Sequence, residues 1–316
     1  MAGWGLKLPN LSILCPDYWG RKEMRKQNAA PHWIAVDSCA GGMRAWAMDQ
    51  TGTVLMKVRS AQGLAQVAVD AFEIVLLNLV RPWLIREQTP VIVSGLPGPV
   101  PETVGTSRRP ADAPIRPVAT YDDRLTLHAL PRLGAAKGPE KTLSHHGLIR
   151  GIAAERPAFN GAICIPDLQT QWVQIHAGEV RKVQLFMTLE LFDLLAPQGE
   201  RVGVVSEPAL DMGAFHGAVS EALNQPEMMA QRLLSARSDN DPAKARLKGV
   251  LIGMELASAR AAWQGKQVMI VNSSPWSSLY EQALSGQGVA VQTCDSDTMT
   301  LAGLKHAYRS LCETFA

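Results

Sequence analysis

The sequence lacks the cysteine pairs and the strong net charge that identify several common classes of protein. Its 316 residues include five cysteines, which are scattered, odd in number and never arranged as a CxxC pair. That pattern argues against a disulfide framework and against a zinc site, and it favours a reducing compartment. The net charge is only +2, so charge gives no support for nucleic-acid binding.

Long apolar runs are also missing. The longest mainly apolar stretch, Ile74 to Val80, is far too short to cross a bilayer. The N-terminal stretch has no apolar core of the kind found in signal peptides. Hydrophobic residues make up 47% of the chain and charged residues 19%, which is ordinary for a globular protein with room for two domains. We therefore expect a cytoplasmic protein that binds neither membrane nor nucleic acid.

The segment from Pro31 to Thr53 is the most informative part of the chain. An apolar run ends in Asp37, a small-residue turn with Gly41 and Gly42 follows, and a second alternating run begins at Met43. Runs of strand length separated by Gly and Asp predict a three-strand meander with Asp37 at its first tip. A carboxylate facing a glycine-rich turn suits a phosphate and its metal ion. The alternative is a surface hairpin in which Asp37 only shapes the turn, and the pattern alone favours it.

A second meander repeats this pattern further along the chain. Gly161 to Pro166 reads as a strand, Asp167 follows it, and two more strands are predicted as far as Met187. Two strand-turn-strand-turn-strand units, each with an Asp at a strand tip, indicate a duplicated core. Residues 1–30 are predicted to be an extension, either a disordered tail or a strap that packs through its large apolar residues.

Helical periodicity predicts the elements around the two meanders. A helix is expected over Gly63 to Glu87 with a break at Pro82, followed by a buried strand and a long proline-rich loop. His145 and His146 are placed in a loop, where adjacent histidines are more often exposed, before a short helix or turn. The remaining predicted elements are helices over residues 211–263, a strand at 267–271, a helix at 277–285, a strand at 288–292 and a terminal helix at 299–315. Small residues recur every three or four positions between Lys248 and Arg260, a spacing that close helix packing requires.

Together these features resemble the actin-like (ASKHA) sugar-kinase fold and, within it, the 2-dehydro-3-deoxygalactonokinase family. The motifs that carry the resemblance are Ile34-Ala35-Val36-Asp37 with Arg44-Ala45-Trp46, Thr89 to Leu96, Arg150-Gly151, Trp172-Val173, Met187-Thr188 with Glu190-Leu191, and Gly249 to Gly253 with Glu255. The match covers roughly residues 32 to 312. It implies an α/β fold of two RNase H-like (actin-like ATPase) lobes with a cleft between them, over 31–155 and 156–316.

The resemblance also implies a site for ATP, Mg²⁺ and a sugar acid. A kinase needs a general base for the acceptor hydroxyl, normally a carboxylate, and the candidates left in this chain are Glu155 and Glu190, with His145 and His146 as weaker ones. Glu190 could equally be a structural carboxylate at the start of a helix. Asp37 would be catalytic and hold the metal ion. The other implied residues are Gly41, Gly42, Arg44, Asp167, Ser273 and Ser274 for phosphate or nucleotide, and Gly95, Gly98 and Arg150 for the substrate.

The sequence departs from the family pattern where the chemistry takes place. Asp167 stands in the second phosphate turn where the family has glycine. The other departures are Cys39 and Ala40 for a Gly and a hydroxyl residue, Gln169 and Gln171 for His and Lys, Ile152 and Ala153 for two carboxylates, Ser273-Ser274 for Gly-Thr, and Pro97 and Pro99 for polar residues.

Asp167 is expected to have the largest effect of these departures. At ~5 Å and an effective dielectric of ~20, it would repel each phosphate charge by about 3 kcal/mol and weaken binding roughly a hundredfold. Mg²⁺ held jointly by Asp37 and Asp167 would reverse that effect. Three hypotheses follow: a kinase-like protein with phosphotransfer weakened or lost, an active sugar-acid kinase with altered specificity, and a nucleotide-independent sugar-acid binding or regulatory protein. A homodimer or an unknown protein partner is also expected.

Overall fold

Two mixed β-sheets form the framework of the protein in a computed structural model. The structure describes residues 30–39, 42–61, 63, 67–85, 88–97, 106–133, 145–196, 210–235 and 241–314. The chain divides into compact units at 1–30 and 31–316, and both sheets lie in the second unit. The predicted tail or strap over residues 1–30 falls outside the described residues, apart from Ala30.

The strands in the first half of the chain are β1 (Trp33–Cys39), β2 (Gly42–Met48), β3 (Val54–Ser60), β4 (Thr89–Ser94), β5 (Thr106–Ser107), β6 (Arg116–Val118), β7 (Leu125–Ala129) and β8 (Arg132–Leu133). The first sheet has the strand order β3-β2-β1-β4-β7-β6. Its first three strands form the predicted antiparallel meander, whereas β4 runs parallel to β1 and β7 runs parallel to β4. A short pair, β5 with β8, forms a separate two-stranded sheet.

The second sheet repeats the arrangement of the first. Its strands are β9 (Gly161–Ile165), β10 (Thr170–His176), β11 (Glu179–Phe186), β12 (Gln267–Asn272) and β13 (Val291–Asp295). Their order is β11-β10-β9-β12-β13, with an antiparallel meander followed by two strands parallel to β9. The predicted duplication and the α/β fold of two RNase H-like (actin-like ATPase) lobes are therefore confirmed. The last strand begins later than predicted, because Gly288 has φ +75° and lies in a turn before it.

Nine helices in the described part of the chain surround the sheets. They are α1 (Phe72–Val80), α2 (His146–Glu155), α3 (Thr188–Leu195), α4 (Met212–Asn224), α5 (Met229–Ser235), α6 (Asp241–Ser258), α7 (Arg260–Trp263), α8 (Ser277–Ser285) and α9 (Ser296–Thr314). None of these helices has the length and apolar character needed to cross a membrane. The α-helical part of the segment around Pro82 is shorter than predicted, because 3₁₀ turns flank α1 on both sides.

Two helices pack against the sheet formed by the other half of the chain. Leu304 and Ala307 of α9 join a buried cluster with Trp33 and Trp46 of the first sheet. In the same way, the apolar side of α2 joins a cluster with Ile163 and other residues of the second sheet. The predicted lobe bounds, 31–155 and 156–316, stay a prediction. The helices α2 and α9 each pack against strands that lie in the other of these two ranges.

The crossing of α2 and α9 depends on glycine. A Cβ added to Gly151 would lie 1.8 Å from the carbonyl oxygen of Met299, and one added to Gly303 would lie 1.8 Å from that of Gly147. Any side chain at either position would therefore force the helices apart. The small residues predicted in α6 act similarly, since a Cβ on Gly249 would lie 2.5 Å from a backbone oxygen of α4.

Candidate functional site

The candidate site is built on the carboxyl ends of parallel strands from both sheets. Asp37 near the end of β1 lies in register with Ser94 of the parallel strand β4. In the second sheet, Asp167 follows β9 and Ser273 follows its parallel neighbour β12. The hydroxyl of Ser273 donates to the carbonyl oxygen of Pro166 at 2.9 Å, so these two strand ends are in contact. Ligands of open α/β sheets bind outside such strand ends.

Asp37 is fully buried, and only one of its carboxylate oxygens is paired. Its Oδ2 accepts a hydrogen bond from Arg44 at 2.5 Å, across the antiparallel register that places the two residues opposite each other. Its Oδ1 is buried without a hydrogen-bond partner in the described part of the chain. Burial alone would lower the pKa of Arg44, but the charge and hydrogen bond of Asp37 and the charge of Asp297 hold that pKa above its usual value. Asp37 therefore has one buried carboxylate oxygen whose hydrogen-bonding capacity is unused among the described residues.

Arg44 is bonded to residues at the start of α9 as well as to Asp37. Its second terminal nitrogen donates to Asp297 at 2.6 Å and to the hydroxyl of Ser296 at 3.2 Å. The side chain is thus held between two carboxylates, with only 14% of its area exposed. Its predicted role in binding phosphate or nucleotide stays a prediction, and any such role requires the ligand to compete with both carboxylates.

Asp167 and His145 form a contact between the turn after β9 and the start of α2. His145 Nε2 lies 3.0 Å from Asp167 Oδ2, and the backbone N–H of Leu168 donates to Oδ1 at 2.8 Å. Burial would raise the pKa of Asp167, but the hydrogen bond and charge of His145, the Leu168 N–H and the charge of Arg44 lower it overall. Asp167 is therefore a carboxylate at neutral pH, and it lies within electrostatic reach of the Asp37–Arg44 pair.

The two adjacent histidines are buried, so the expected exposure is wrong. His145 has 2% and His146 has 3% of its area exposed. The pKa of His146 is lowered to about 3, first by burial and then by the charges of Arg132 and His145, although Asp37 opposes that effect. His146 is thus neutral, and its Nδ1 accepts a hydrogen bond from the backbone N–H of Leu133 at 3.2 Å. Burial follows from the start of α2 packing between both sheets, which the local sequence does not reveal.

The two predicted general bases differ in where they lie. Glu190, in the first turn of α3, accepts a hydrogen bond from Gln169 at 3.2 Å, and Gln169 belongs to the same turn as Asp167. Glu155 is exposed at the last position of α2, which begins beside His145. At ~1.5 Å per residue, the length of that helix puts the two ends about 14 Å apart. The structure therefore brings Glu190 to the site and leaves Glu155 at the far end of α2.

The predicted glycines and serines occupy different kinds of position. Gly95 follows β4, is buried and has φ +86°, a conformation that favours glycine. Gly42 allows close approach of β2 and β3, because a Cβ there would lie 2.8 Å from the Ser60 carbonyl oxygen. Ser274 donates to the Pro166 carbonyl oxygen at 2.7 Å and so lies at the second turn. The predictions for Gly41 and Gly98 fall outside the described residues.

Arg150 is buried among residues that do not belong to the Asp37 and Asp167 turns. It donates to the carbonyl oxygen of Ala113 at 2.6 Å, to His306 at 3.3 Å and to Ser310 at 3.5 Å. Burial lowers its pKa to about 10, with the charge of Asp112 opposing that effect. These contacts tie α2 to α9, and the substrate-binding role predicted for Arg150 stays a prediction.

The sequence did not predict the buried hydrogen-bond network that Glu255 forms next to the turn carrying Asp167. This buried carboxylate of α6 accepts hydrogen bonds from Trp172 Nε1 at 2.7 Å, from Tyr280 Oη at 2.6 Å and from the hydroxyl of Thr188. Burial raises its pKa, and the surrounding donors limit that rise. Tyr280 in turn lies 3.0 Å from the hydroxyl of Thr170, the first residue of β10 after the Asp167 turn. A charged residue inside a stripe of small helical residues was the signal available in the sequence.

A metal ion at this site would depend on few protein ligands. The described residues contain no group of three or more His, Cys, Asp or Glu side chains arranged to hold a metal ion. Mg²⁺ in phosphate-handling sites usually takes one or two carboxylates, phosphate oxygens and water. The unpartnered Oδ1 of Asp37 fits one such ligand, whereas its Oδ2 is occupied by Arg44.

Comparison with known proteins agrees with this architecture. The family model for 2-keto-3-deoxy-galactonokinase matches residues 37–307. The chain belongs to the 2-keto-3-deoxy-galactonokinase family. The family resemblance predicted from the motifs is thereby confirmed, and the matched range runs from Asp37 into α9.

Two relatives of this 2-keto-3-deoxy-galactonokinase family member extend over nearly the whole chain. A protein of Rhizobium meliloti (strain 1021) named "Probable 2-dehydro-3-deoxygalactonokinase DgoK1" is 29% identical over 300 residues, 89% of this chain and 98% of the relative. A crystal structure of a protein assigned as a 2-dehydro-3-deoxygalactonokinase from Sinorhizobium meliloti has a TM-score of 0.73 and 27% identity, covering 88% of this chain and 99% of that one.

Proposed function

We propose that this protein is a 2-dehydro-3-deoxygalactonokinase-like member of its family in which phosphotransfer from ATP to a 2-keto-3-deoxy sugar acid is weakened or lost. The observation that carries the proposal is the ionised Asp167, held by His145 in the turn after β9. Family membership and the paired strand ends support the kinase scaffold. ATP and Mg²⁺ are the proposed cofactors of any activity that remains.

In this proposal, electrostatic repulsion between Asp167 and the phosphates opposes tight nucleotide binding. Phosphoryl transfer depends on positioning and on cancelling phosphate charge with N–H groups, cations and metal ions. A carboxylate about 5 Å from a phosphate opposes it by about 3 kcal/mol at an effective dielectric of ~20. Arg44 offers little compensation, because Asp37 and Asp297 already bind it. Among the described residues, the side chain of His145, when protonated, is the one cation within hydrogen-bonding distance of Asp167.

A second candidate function is an active kinase with altered specificity. It is favoured by the unpartnered, buried Oδ1 of Asp37, which fits a Mg²⁺ ligand, and by Glu190 beside the Asp167 turn as the general base. In that case Asp37 and Asp167 would face the same ion, and Asp167 would help to bind the nucleotide. Glu155 is the weaker candidate for the base because it lies at the far end of α2. The two candidates predict opposite effects of neutralising Asp167.

The test is calorimetric titration of ATP with Mg²⁺ into the wild type, Asp167→Asn and Asp167→Gly. Asp123→Asn is the matched control, because it removes an exposed carboxylate elsewhere in the first lobe. We expect wild-type affinity weaker than about millimolar and a gain of roughly a hundredfold in Asp167→Gly. A coupled assay with 2-dehydro-3-deoxygalactonate should show negligible turnover in the wild type. Turnover at roughly 1–100 s⁻¹, or tighter binding by the wild type than by Asp167→Asn, would refute the proposal.

A further inference from the structure

Three basic side chains converge on one carboxylate at the start of α9. Arg44 donates to Asp297 Oδ1 at 2.6 Å, and Arg59 lies 2.7 Å from Oδ2. Lys57 also reaches Oδ2. Two separate cations therefore share a single carboxylate oxygen.

Strand geometry explains why these residues meet. In the antiparallel register of β2 and β3, Arg44 lies opposite Arg59, and Trp46 lies opposite Lys57. Alternate residues of a strand point to the same face, so all four side chains share one face of the sheet. The ammonium group of Lys57 lies 5.6 Å from the centroid of the buried Trp46 ring, a distance at which the ring attracts it.

The cluster keeps an excess of positive charge. Arg44, Lys57 and Arg59 face only two carboxylates, Asp37 and Asp297, which leaves one positive charge without an acidic partner among these residues. Burial would raise the pKa of Asp297, but the hydrogen bond of Lys57 and the charges of the three cations lower it, so this carboxylate is ionised. An incoming monoanion would complete the neutralisation.

Lys57 and Arg59 have the exposure and the free donors to receive that anion. Their side chains are 34% and 61% exposed, against 14% for Arg44. An ammonium group has three N–H donors and a guanidinium group has five, and the bonds to Asp297 use few of them. A guanidinium fork also matches the planar geometry of a carboxylate.

The cluster is joined directly to the candidate site. Arg44 bridges Asp297 and Asp37 through its two terminal nitrogens, so a single side chain separates the exposed cations from the carboxylate at the end of β1. An anion at Lys57 and Arg59 would therefore lie beside the site and not within the turn that carries Asp167.

We propose that Lys57 and Arg59 form the subsite for the carboxylate of the sugar-acid ligand. The proposal rests on the proposed function, from which the ligand class is taken. It assigns to this pair the recognition of the acid group, which distinguishes a sugar acid from a neutral sugar. Arg44 and Asp297 act as positioning residues that hold the two cations at the edge of the site.

The test is calorimetric titration of 2-dehydro-3-deoxygalactonate, without nucleotide, into the wild type and the Lys57→Gln/Arg59→Gln variant. The matched control is Arg181→Gln/Lys182→Gln, which removes the same charge from exposed positions of β11, the corresponding edge strand of the second sheet. We expect the first variant to bind roughly 10- to 100-fold more weakly and the control to stay within about twofold of the wild type. The charge-conserving Lys57→Arg/Arg59→Lys variant should retain most of the affinity, and circular dichroism should show all variants folded.

A neutral ligand separates charge recognition from general loss of the site. The corresponding 3-deoxy sugar without the carboxylate should bind the wild type and Lys57→Gln/Arg59→Gln equally weakly. Equal affinity of these two proteins for the sugar acid would overturn the subsite and leave the ATP result for Asp167 untouched. Absence of sugar-acid binding by the wild type would overturn both the subsite and the ligand class of the proposed function.

Discussion

Protonation of His146 should make folding strongly dependent on pH in the mildly acidic range. The folded protein holds the pKa of this buried imidazole at about 3, against an ordinary value of 6.5. Burial is the main cause, and the groups that face it are Arg132 and His145, which lower the pKa, and Asp37, which raises it. A proton on Nδ1 would also break the hydrogen bond from the Leu133 N–H.

The sign and size of the effect follow from linkage. The unfolded chain binds a proton on His146 near pH 6.5 and the folded chain does not, so this stability is fully present above pH 6.5 and is lost as pH falls towards about 3. The whole difference corresponds to about 5 kcal/mol, and about 2 kcal/mol of it would be lost by pH 5.

The assay is urea unfolding followed by circular dichroism at pH 7, 6 and 5. His146→Asn is the informative variant, because its amide oxygen can still accept the Leu133 N–H while the side chain no longer titrates. Between pH 7 and pH 5 we expect the wild type to lose about 2 kcal/mol more than His146→Asn. His176→Asn, which removes an exposed histidine, should behave as the wild type. Parallel pH dependences of the wild type and His146→Asn would refute the reasoning.

Two further predictions concern packing and a buried charge. Gly151→Ala should destabilise the fold by more than about 3 kcal/mol or prevent folding, because its Cβ would overlap the Met299 carbonyl oxygen. In Gly217→Ala the new Cβ meets nothing within 4 Å, so this variant should instead raise the free energy of unfolding by about 0.5–1 kcal/mol. Glu255→Ala should cost about 3–5 kcal/mol because it leaves three buried donors unpaired, and Glu255→Gln should cost less. Equal unfolding free energies within either pair of variants would contradict these expectations.

Local patterns predicted most of the framework. Apolar runs of strand length and their Gly and Asp punctuation predicted both meanders and placed Asp167 just beyond β9, because alternation and turn chemistry act over a few residues. Asp37, predicted at a strand tip, lies two residues before the end of β1, because the strand continues through Ser38 and Cys39. The stripe of small residues in α6 likewise predicted close helix packing, which Gly249 provides. Element ends were less accurate, as at β13, where the positive φ of Gly288 delays the strand.

Contacts between distant parts of the chain could not be predicted in this way. His145 and Asp167 are 22 positions apart, and Arg44 and Asp297 are 253 apart. No local rule indicates that the loop before α2 is buried, or that Arg150 is turned towards α9. The far position of Glu155 likewise depends on the direction in which α2 leaves the site.

By itself the sequence determined a duplicated α/β core, its family and the presence of an acid in a turn that usually carries glycine. Those properties depend on residue type and short-range periodicity, which are local. The tertiary structure alone decided which groups contact each carboxylate: His145 on Asp167, Arg44 between two carboxylates, and Lys57 with Arg59 on one oxygen of Asp297. Charge and burial act through space, so the character of the site depends on which chain segments are brought together by folding.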